Sequence, residues 1–345
     1  MKDLPAPLHA ALSPDDDPSP SLASRALMQA PRDHAGAPSA VRADADKAMV
    51  ARRLVKRYGA TTALDRIDLE VSRGELLVVA GPNGAGKTTL LEVCEGLREA
   101  DEGEVLLFDQ SPRELESRRR MGVQLDEASF HRHIEVGEIL SLYAQIYGKK
   151  QPSEQVVSSL ALHTCLRKQY GGLSKGWKQR VSIAVALLHE PDIVFLDELS
   201  DGLDPEVKHV VWDLVLAQTK RKAAVVLTSH SMEEAERLAD RVVIIVGGKI
   251  VQEGSPSRLR SAFPTHWKIE VPGDIDGSVP YALDSIRQAG STTLFTNEPE
   301  PLLDWVNERW PNGRVFSGPI TLEDLYLYYV KKAKACSPPF SESNS

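Results

Sequence analysis

The sequence predicts an α/β fold, and three observations support that fold class. Strand-like and helix-like segments alternate from residue 50 to about residue 263. The apolar segment 75–80 (ELLVVA) runs into a glycine-rich turn and then into helix-forming residues at 88–96. A second apolar run, 193–197 (IVFLD), ends on an acidic residue. We therefore expect ligands to bind at the carboxyl ends of these strands.

The chain is predicted to have four parts. Residues 1–47 are rich in Pro, Ala, Ser and Asp and show no strand or helix period, so we expect a disordered extension. Residues 48–262 form the α/β domain, and within it residues 112–188 form a helical subdomain, while 225–229 and 242–246 are further strands. Residues 263–335 form a small α+β accessory unit, followed by a tail at 336–345. In the accessory unit we predict strands at 267–271 and 292–296 and helices at 282–289, 301–310 and 322–330.

The composition excludes several classes of protein. The chain has 345 residues and a net charge of −8, which argues against a nucleic-acid partner bound mainly through phosphates. Its three cysteines are few, odd in number and widely spaced, so neither a disulfide framework nor a zinc site is expected. No run approaches the roughly 20 apolar residues that span a membrane, and the first residues lack the apolar core of a signal peptide. Any membrane association is therefore expected to come through another chain.

Residues 81–88 (GPNGAGKT) match the pattern G-x-x-x-x-G-K-[ST] at every fixed position. Glycines let the backbone amides point at phosphate oxygens, and the following helix directs its positive end at the same anion. Lys87 is predicted to neutralise the β- and γ-phosphates of ATP, and the Thr88 hydroxyl to bind Mg²⁺. The alternative is a glycine-rich turn with an unrelated lysine. The predicted nucleotide-binding residues are Gly81, Pro82, Asn83, Gly84, Ala85, Gly86, Lys87, Thr88 and Thr89.

An acidic pair follows the 193–197 strand. Asp197 is predicted to bind Mg²⁺, directly or through water, and Glu198 to orient and activate the attacking water as a general base. The alternative is that acidic residues merely end a strand at the surface. With the phosphate loop upstream, we expect a P-loop NTPase core that hydrolyses ATP.

Further motifs point to one family. Residues 173–180 read LSKGWKQR, residues 200–205 read SDGLDP and residues 228–230 read TSH. Together with the phosphate loop and the acidic pair, they resemble the ABC ATPase family in motif order over residues 48–262. The resemblance implies roles at the nucleotide for Tyr58, which would stack on adenine, and for Ser174, Gly176, Asp204 and His230. His230 would contact the γ-phosphate and hold the water near Glu198.

The sequence departs from the family pattern at several positions. Lys175 and Trp177 differ from the usual L-S-G-G-Q signature, and Lys175 would either add a cation near the phosphate or be solvated. Leu199 replaces a usual proline. The family places a glutamine at Asp126, whereas Gln124 lies two places early. We predict that Asp126 binds Mg²⁺ in place of that glutamine; the alternative is a loop that leaves Asp126 in solvent.

The resemblance also implies partners and a place in the cell. Two copies would close over two Mg·ATP, each nucleotide held by one copy's phosphate loop and the other's Ser174 region. Helical residues at 130–147 would help form the groove for a separate transmembrane permease, which would hold the chain at the inner face of the cell membrane. Residues 320–326 (ITLEDLY) resemble the end of drug- and polyketide-export ATPases, which implies export.

Three alternatives stay open. One is an importer ATPase. Another is a soluble ABC ATPase acting on ribosomes or DNA, which the single phosphate loop and the lack of sustained heptads disfavour. The third is a module that holds ATP without turning it over, against which the intact Lys87, Asp197, Glu198 and His230 argue.

Overall fold

A computed structural model describes residues 46–124, 130–275, 278–288, 290–311 and 313–336, which form three β-sheets flanked by helices. In chain order the strands are β1 (Lys47–Tyr58), β2 (Thr61–Ser72), β3 (Leu76–Ala80), β4 (Glu102–Leu107), β5 (Met121–Val123), β6 (Ile193–Asp197), β7 (Ala224–Ser229), β8 (Arg241–Val246), β9 (Lys249–Gly254), β10 (Trp267–Pro272), β11 (Asp284–Gln288), β12 (Ser291–Thr296) and β13 (Phe316–Pro319). The helices are α1 (Lys87–Cys94), α2 (Leu115–Arg119), α3 (Val136–Ile146), α4 (Glu154–Ser159), α5 (Lys175–Leu187), α6 (Pro205–Lys220), α7 (Met232–Leu238), α8 (Pro256–Ala262), α9 (Pro299–Arg309) and α10 (Leu322–Cys336).

The largest sheet has six strands in the order β5-β6-β7-β3-β8-β9. Every pair is parallel except β8 with β9. All five residues of β3 are buried, as expected for a parallel strand covered on both faces. The strands predicted at 75–80, 193–197, 225–229 and 242–246 are confirmed as β3, β6, β7 and β8.

Alternating side chains of the central strand divide the core into two layers. Leu76, Val78 and Ala80 belong to a cluster that includes buried residues of α3, α5, α6 and α7. Leu77 and Val79 point the other way, into a cluster with α1, β1 and β2. The parallel sheet is therefore sandwiched between a helical layer and a layer made of one helix and a second sheet.

This second sheet, in the order β2-β1-β4, is antiparallel and was not predicted. Lys47 begins β1 by pairing with Ser72, and it is also the last residue of the predicted extension over residues 1–47. Residues 1–45 lie outside the described residues. The alternation expected of a half-buried strand is broken in β1 by register shifts and by a positive φ at Arg53, which hides the period of two from a sequence pattern.

The accessory unit contains a four-stranded antiparallel sheet in the order β11-β12-β10-β13. The helix predicted over 282–289 is wrong, because Asp284–Gln288 forms strand β11 instead. Ile286 is buried while both its neighbours are more exposed, and the strand pairs along its length with β12. Cross-strand pairing has overridden the local preference for helix.

The helices of the accessory unit follow this sheet in the chain. Helix α9 packs on one face through Leu302 and Val306, and α10 continues to Cys336, one residue past the predicted boundary.

Residues 112–188 contain the predicted helices, here α2 to α5, together with the short strand β5 and two 3₁₀ turns. Tyr143 on α3 packs edge to face on Phe130, whose ring also meets that of Tyr170. Within the ranges that the structure describes, every helix is too short or too polar to cross a membrane.

Candidate active site

Two glycines make the turn between β3 and α1 possible. A Cβ atom on Gly81 would lie 2.4 Å from the carbonyl oxygen of Ile245. One on Gly86 would lie 2.3 Å from the carbonyl oxygen of Ala63. Gly86 also has a φ of +105°, a left-handed value that only glycine adopts without a Cβ penalty. Side chains at either position would push the loop away from the sheet.

Beyond these glycines, the loop closes on itself and leaves its tip exposed. The Ala85 amide donates to the carbonyl oxygen of Pro82 (3.1 Å), while Asn83 and Gly84 form the exposed tip. The first backbone hydrogen bond of α1 runs from Leu90 to Gly86 (2.8 Å). The amides of Lys87, Thr88 and Thr89 come before this first bond and are the N-terminal donors of the helix. Donors at a helix N-terminus suit an anion.

Lys87 is the buried cation of the loop. Its side chain is only 6% exposed, although lysine is almost never buried without partners. Its Nζ donates to the carbonyl oxygens of Gly81 (2.9 Å) and Pro82 (3.3 Å). The ammonium is thereby held inside the curve of the loop, where it can exchange these weak acceptors for phosphate oxygens.

Two of the three predicted metal residues, Thr88 and Asp197, meet at the edge of the sheet. Thr88 Oγ1 donates to Asp197 Oδ2 at 3.2 Å, and the hydroxyl of Thr228 donates to the other carboxylate oxygen, Oδ1. A hydroxyl and a carboxylate at one point form a hard oxygen donor set, which fits Mg²⁺ and leaves its other positions to water and phosphate.

Glu198 follows Asp197 in an unusual backbone conformation. Its φ is +48°, in the left-handed region that costs a non-glycine residue on the order of 1–2 kcal/mol. The Glu198 amide donates to both the carbonyl and the hydroxyl oxygen of Thr228, each at 3.2 Å. Its carboxylate Oε1 lies 3.7 Å from Nδ1 of His230, and both side chains are substantially exposed. The strained turn thus directs the carboxylate out of the sheet toward His230 and away from Asp197's hydrogen bonds.

The signature residues pack against the loop that follows Glu198. Ser174 is the N-cap of α5, but its hydroxyl makes no capping hydrogen bond. A Cβ atom on Gly176 would lie 2.9 Å from the carbonyl oxygen of Gly202, so the helix and the loop touch backbone to backbone. Gln179 Nε2 donates to the carbonyl oxygens of Glu198 (3.3 Å) and Leu199 (3.1 Å).

Lys175 is largely exposed to solvent, as in one of the two roles considered for it, and it also has a partner that neither role included. Its Nζ lies 2.7 Å from Asp201 Oδ2, in an ion pair between α5 and the loop. This hydrogen bond holds the pKa of Asp201 below its usual range. A lysine in the signature is therefore bound to an acid that is itself part of residues 200–205.

The remaining predicted residues lie apart from this cluster. Tyr58 is 40% exposed, and its ring is flanked by the guanidinium of Arg98 at 5.3 Å. Asp204 is the exposed N-cap of α6. No hydrogen bond of the described chain joins Tyr58, Ser174 or Asp204 to the phosphate loop. Asp126 lies outside the described residues, so its predicted metal role stays a prediction.

Sequence reasoning missed two residues, Gln124 and Thr228, that hydrogen-bond to Asp197 or Glu198. Gln124, set aside because of its position, donates through Nε2 to the carbonyl oxygen of Asp197 at 2.9 Å. Thr228, considered only as part of a motif, contacts both acids. The signal for Thr228 was its place at the end of a predicted parallel strand beside β6. Gln124 has no comparable signal, because β5 is only three residues long.

Comparisons with known proteins agree with these motifs. Residues 64–201 match the family model described as ABC transporter. The chain is similar to the Nod factor export ATP-binding protein I of Burkholderia orbicola, with 32% identity over 80% of this chain and 94% of that protein. Its counterpart in Rhizobium etli is 31% identical, covering 79% of this chain and 90% of the relative.

Solved structures give the same fold. One described as the ATP binding subunit of an ABC transporter superimposes with a TM-score of 0.58 and 27% identity, over 62% of this chain and 92% of the other. A dimeric ATP-binding cassette in a post-hydrolysis state with ADP and Pi has a TM-score of 0.55 over 60% of this chain and 98% of the other. At 22% identity, this second likeness concerns the fold alone.

Proposed function

The chain belongs to the ABC transporter ATP-binding family, and from this premise we propose how its own residues bind and hydrolyse ATP. It is an ATPase that uses ATP with Mg²⁺. The backbone N–H groups of the phosphate loop and of the first turn of α1, together with the Lys87 ammonium, hold the triphosphate, and Tyr58 stacks on adenine. Thr88 and Asp197 hold Mg²⁺, which when bound offsets the charge of the phosphates.

Glu198 acts as the general base. It accepts a proton from the attacking water as the water oxygen bonds to the γ-phosphorus and the bond to the ADP oxygen breaks. His230 donates from its ring to the γ-phosphate and keeps the water beside Glu198. This assignment depends on the different placement of two adjacent acids. Asp197 is hydrogen-bonded to Thr88, whereas the Glu198 carboxylate lies beside His230.

The catalytic unit is a pair of nucleotide domains. Ser174, Gly176 and Asp204 do not bond to their own phosphate loop, which supports a role for them at the nucleotide of a second copy. A homodimer therefore carries two equivalent sites, and the N-terminal end of α5 faces the γ-phosphate across the interface.

A separate permease supplies the membrane part, and the chain acts at the cytoplasmic face through that partner. Leu142 and Ile146 on α3 are 45% and 52% exposed, which supports α3 as part of the surface for the permease. We assign the direction as export of a small molecule, because the relatives named above are export proteins matched over most of their length.

Hydrolysis is tested on the purified full chain by phosphate release and by binding of a fluorescent ATP analogue. We expect Mg²⁺-dependent turnover, loss of ATP binding in Lys87→Ala, and a drop in kcat of about 100-fold with retained binding in Glu198→Gln. Glu198→Gln should also form dimers in the presence of ATP. The control is Glu104→Gln, at an exposed carboxylate that pairs with Arg52. The proposal would be refuted if the parent protein showed no Mg²⁺-dependent ATP binding and Lys87→Ala behaved like the parent.

Export is tested in proteoliposomes that contain the chain and a permease with which it co-purifies, with the ATPase facing outward. External ATP should drive a labelled small molecule into the lumen, and Glu198→Gln should abolish that uptake. Movement of the molecule out of the lumen on ATP addition would identify an importer instead.

A further inference from the structure

A buried carboxylate lies behind the catalytic loops and takes no part in the chemistry proposed above. Glu234, on α7, is only 2% exposed. An ionised carboxylate can only accept hydrogen bonds, and burying one without partners is strongly unfavourable. The contacts that satisfy Glu234 therefore indicate what it does.

Three side chains donate to this carboxylate. Ser229 Oγ donates to Oε2 at 2.5 Å, and Trp212 Nε1 donates to Oε1 at 3.1 Å. The hydroxyl of Ser200 also donates to Oε1. Trp212 is fully buried on α6, so it anchors one side of the group to the helical core. Both oxygens are thus occupied, and the two serines come from separate segments, Ser229 from the end of β7 and Ser200 from the loop after β6.

Each serine lies within two residues of a residue with a proposed catalytic role. Ser229 ends β7 and immediately precedes His230, while Ser200 lies two residues after Glu198 on the loop that follows β6. The carboxylate of Glu234 is therefore a bridge between the loop that carries the base and the loop that carries the histidine.

The turn around His230 is closed by the same group of residues. The Ser231 amide donates to Ser229 Oγ at 2.9 Å, and Ser231 Oγ accepts from the Glu234 amide at 3.4 Å. The His230 side chain is 62% exposed, and its contact with Glu198 is 3.7 Å long. Packing does not hold the imidazole in place, so its position depends on its two backbone neighbours, and these are bound to Glu234.

We propose that Glu234 is a positioning residue: by binding Ser229 and Ser200 together, it sets His230 against Glu198 for hydrolysis. This inference rests on the proposed function and names a residue that it does not use. A well-packed apolar group would often stabilise a core as well as a buried charge does. A buried carboxylate with donors from two catalytic loops is better explained by the geometry it imposes on them.

The test compares Glu234→Ala and Glu234→Gln with Glu236→Ala, which removes an exposed carboxylate of the same helix that pairs with Arg260. We expect Glu234→Ala to lower kcat at least about tenfold while the KM for ATP stays within about twofold, because displaced groups slow chemistry without removing the phosphate loop. Glu234→Gln should recover kcat to within about threefold of the parent, since its amide oxygen still accepts and its NH₂ can donate to a serine oxygen.

Removal of the donors gives an independent measurement. Ser229→Ala, which acts next to His230, should reduce kcat more than Trp212→Phe, which only loosens the anchor. If Glu234→Ala is recovered only as aggregate, the double variant Ser200→Ala/Ser229→Ala decides the question. Its kcat and KM are then compared with those of the parent.

Three results would overturn the inference. One is parental kcat in Glu234→Ala or in the double serine variant. Another is a parallel loss of ATP binding and kcat, the sign of a merely structural role. The third is a Glu234→Gln variant as slow as Glu234→Ala. These results require an active parent, whereas a parent that neither binds nor hydrolyses Mg·ATP would refute the proposed function itself.

Discussion

His189 offers a quantitative test of the core packing at the end of α5. Its side chain is 5% exposed, and its ring stacks on that of Tyr147 with centroids 3.6 Å apart and planes within 4°. Burial lowers the pKa of His189 from 6.5 to about 4; the main chain of Met121 opposes part of that effect, and the charge of Lys149 adds to it. The histidine is therefore neutral in the folded protein at pH values where the unfolded chain binds a proton.

The sign and size of the effect follow from linkage. Because the folded pKa is below the unfolded one, protonation favours the unfolded state, and stability falls as pH drops below 6.5 toward 4. Between pH 7.5 and pH 5, a shift of this size removes about 2 kcal/mol of the free energy of unfolding. That figure is insensitive to the folded pKa, since pH 5 still lies above it.

The substitution His189→Phe retains an aromatic ring against Tyr147 and removes the titrating group. Urea unfolding is followed by circular dichroism at pH 7.5 and at pH 5. The decrease in the free energy of unfolding between these two pH values should be smaller by about 2 kcal/mol in the variant than in the parent. His266→Phe, at an exposed histidine, should leave the parental loss unchanged. An equal loss in parent and His189→Phe would show that burial does not hold His189 neutral.

Three shorter predictions concern the nucleotide site. Gly86→Ala, forced against a carbonyl oxygen at positive φ, should abolish ATP binding and cost on the order of 2 kcal/mol or more, whereas Gly84→Ala, with φ of +75° but nothing within 4 Å, should cost about 1 kcal/mol in thermal unfolding. Tyr58→Ala should weaken ATP binding about three- to tenfold and Tyr58→Phe should not, because stacking requires only a ring; equal loss in both, by analogue titration, would contradict this. Lys175→Ala and Asp201→Asn should each change the free energy of unfolding by less than about 1 kcal/mol, since the pair is 59% and 48% exposed, and a larger loss would mean that the pair is structural.

The parts of the site that the sequence predicted are those set by local pattern. The phosphate loop needs glycine at two places where a Cβ atom would collide with the backbone, so its composition is visible in the sequence. The strand that delivers Asp197 is a continuous apolar run because both faces of the sheet are covered. In each case one short segment contains the whole physical reason for the motif.

Features that depend on distant partners were not predictable in the same way. The 282–289 segment has helix-forming residues, yet Ile286 and its neighbours pair with β12 across a turn at Gly290, whose φ is +86°. The ion pair of Lys175 with Asp201 was not predicted, because Asp201 becomes its neighbour only when α5 packs against the loop after β6. Gln124 was set aside on sequence position, although what matters is the carbonyl oxygen that β6 places beside it.

Strand register explains why these distant residues form one site. In the parallel sheet Asp197 of β6 pairs with Thr228 of β7, and Ser229 of β7 pairs with Ala80 of β3. The three strands therefore end at one level, and Asp197, residues 228–230 and the phosphate loop leave the sheet side by side. A shift of one strand by a single residue would turn Thr228 to the opposite face and remove its hydroxyl from Asp197. The buried apolar residues of these strands, which hold that register, thus fix the geometry up to the strand ends, and Glu234 connects the last residue of β7 with the loop after β6.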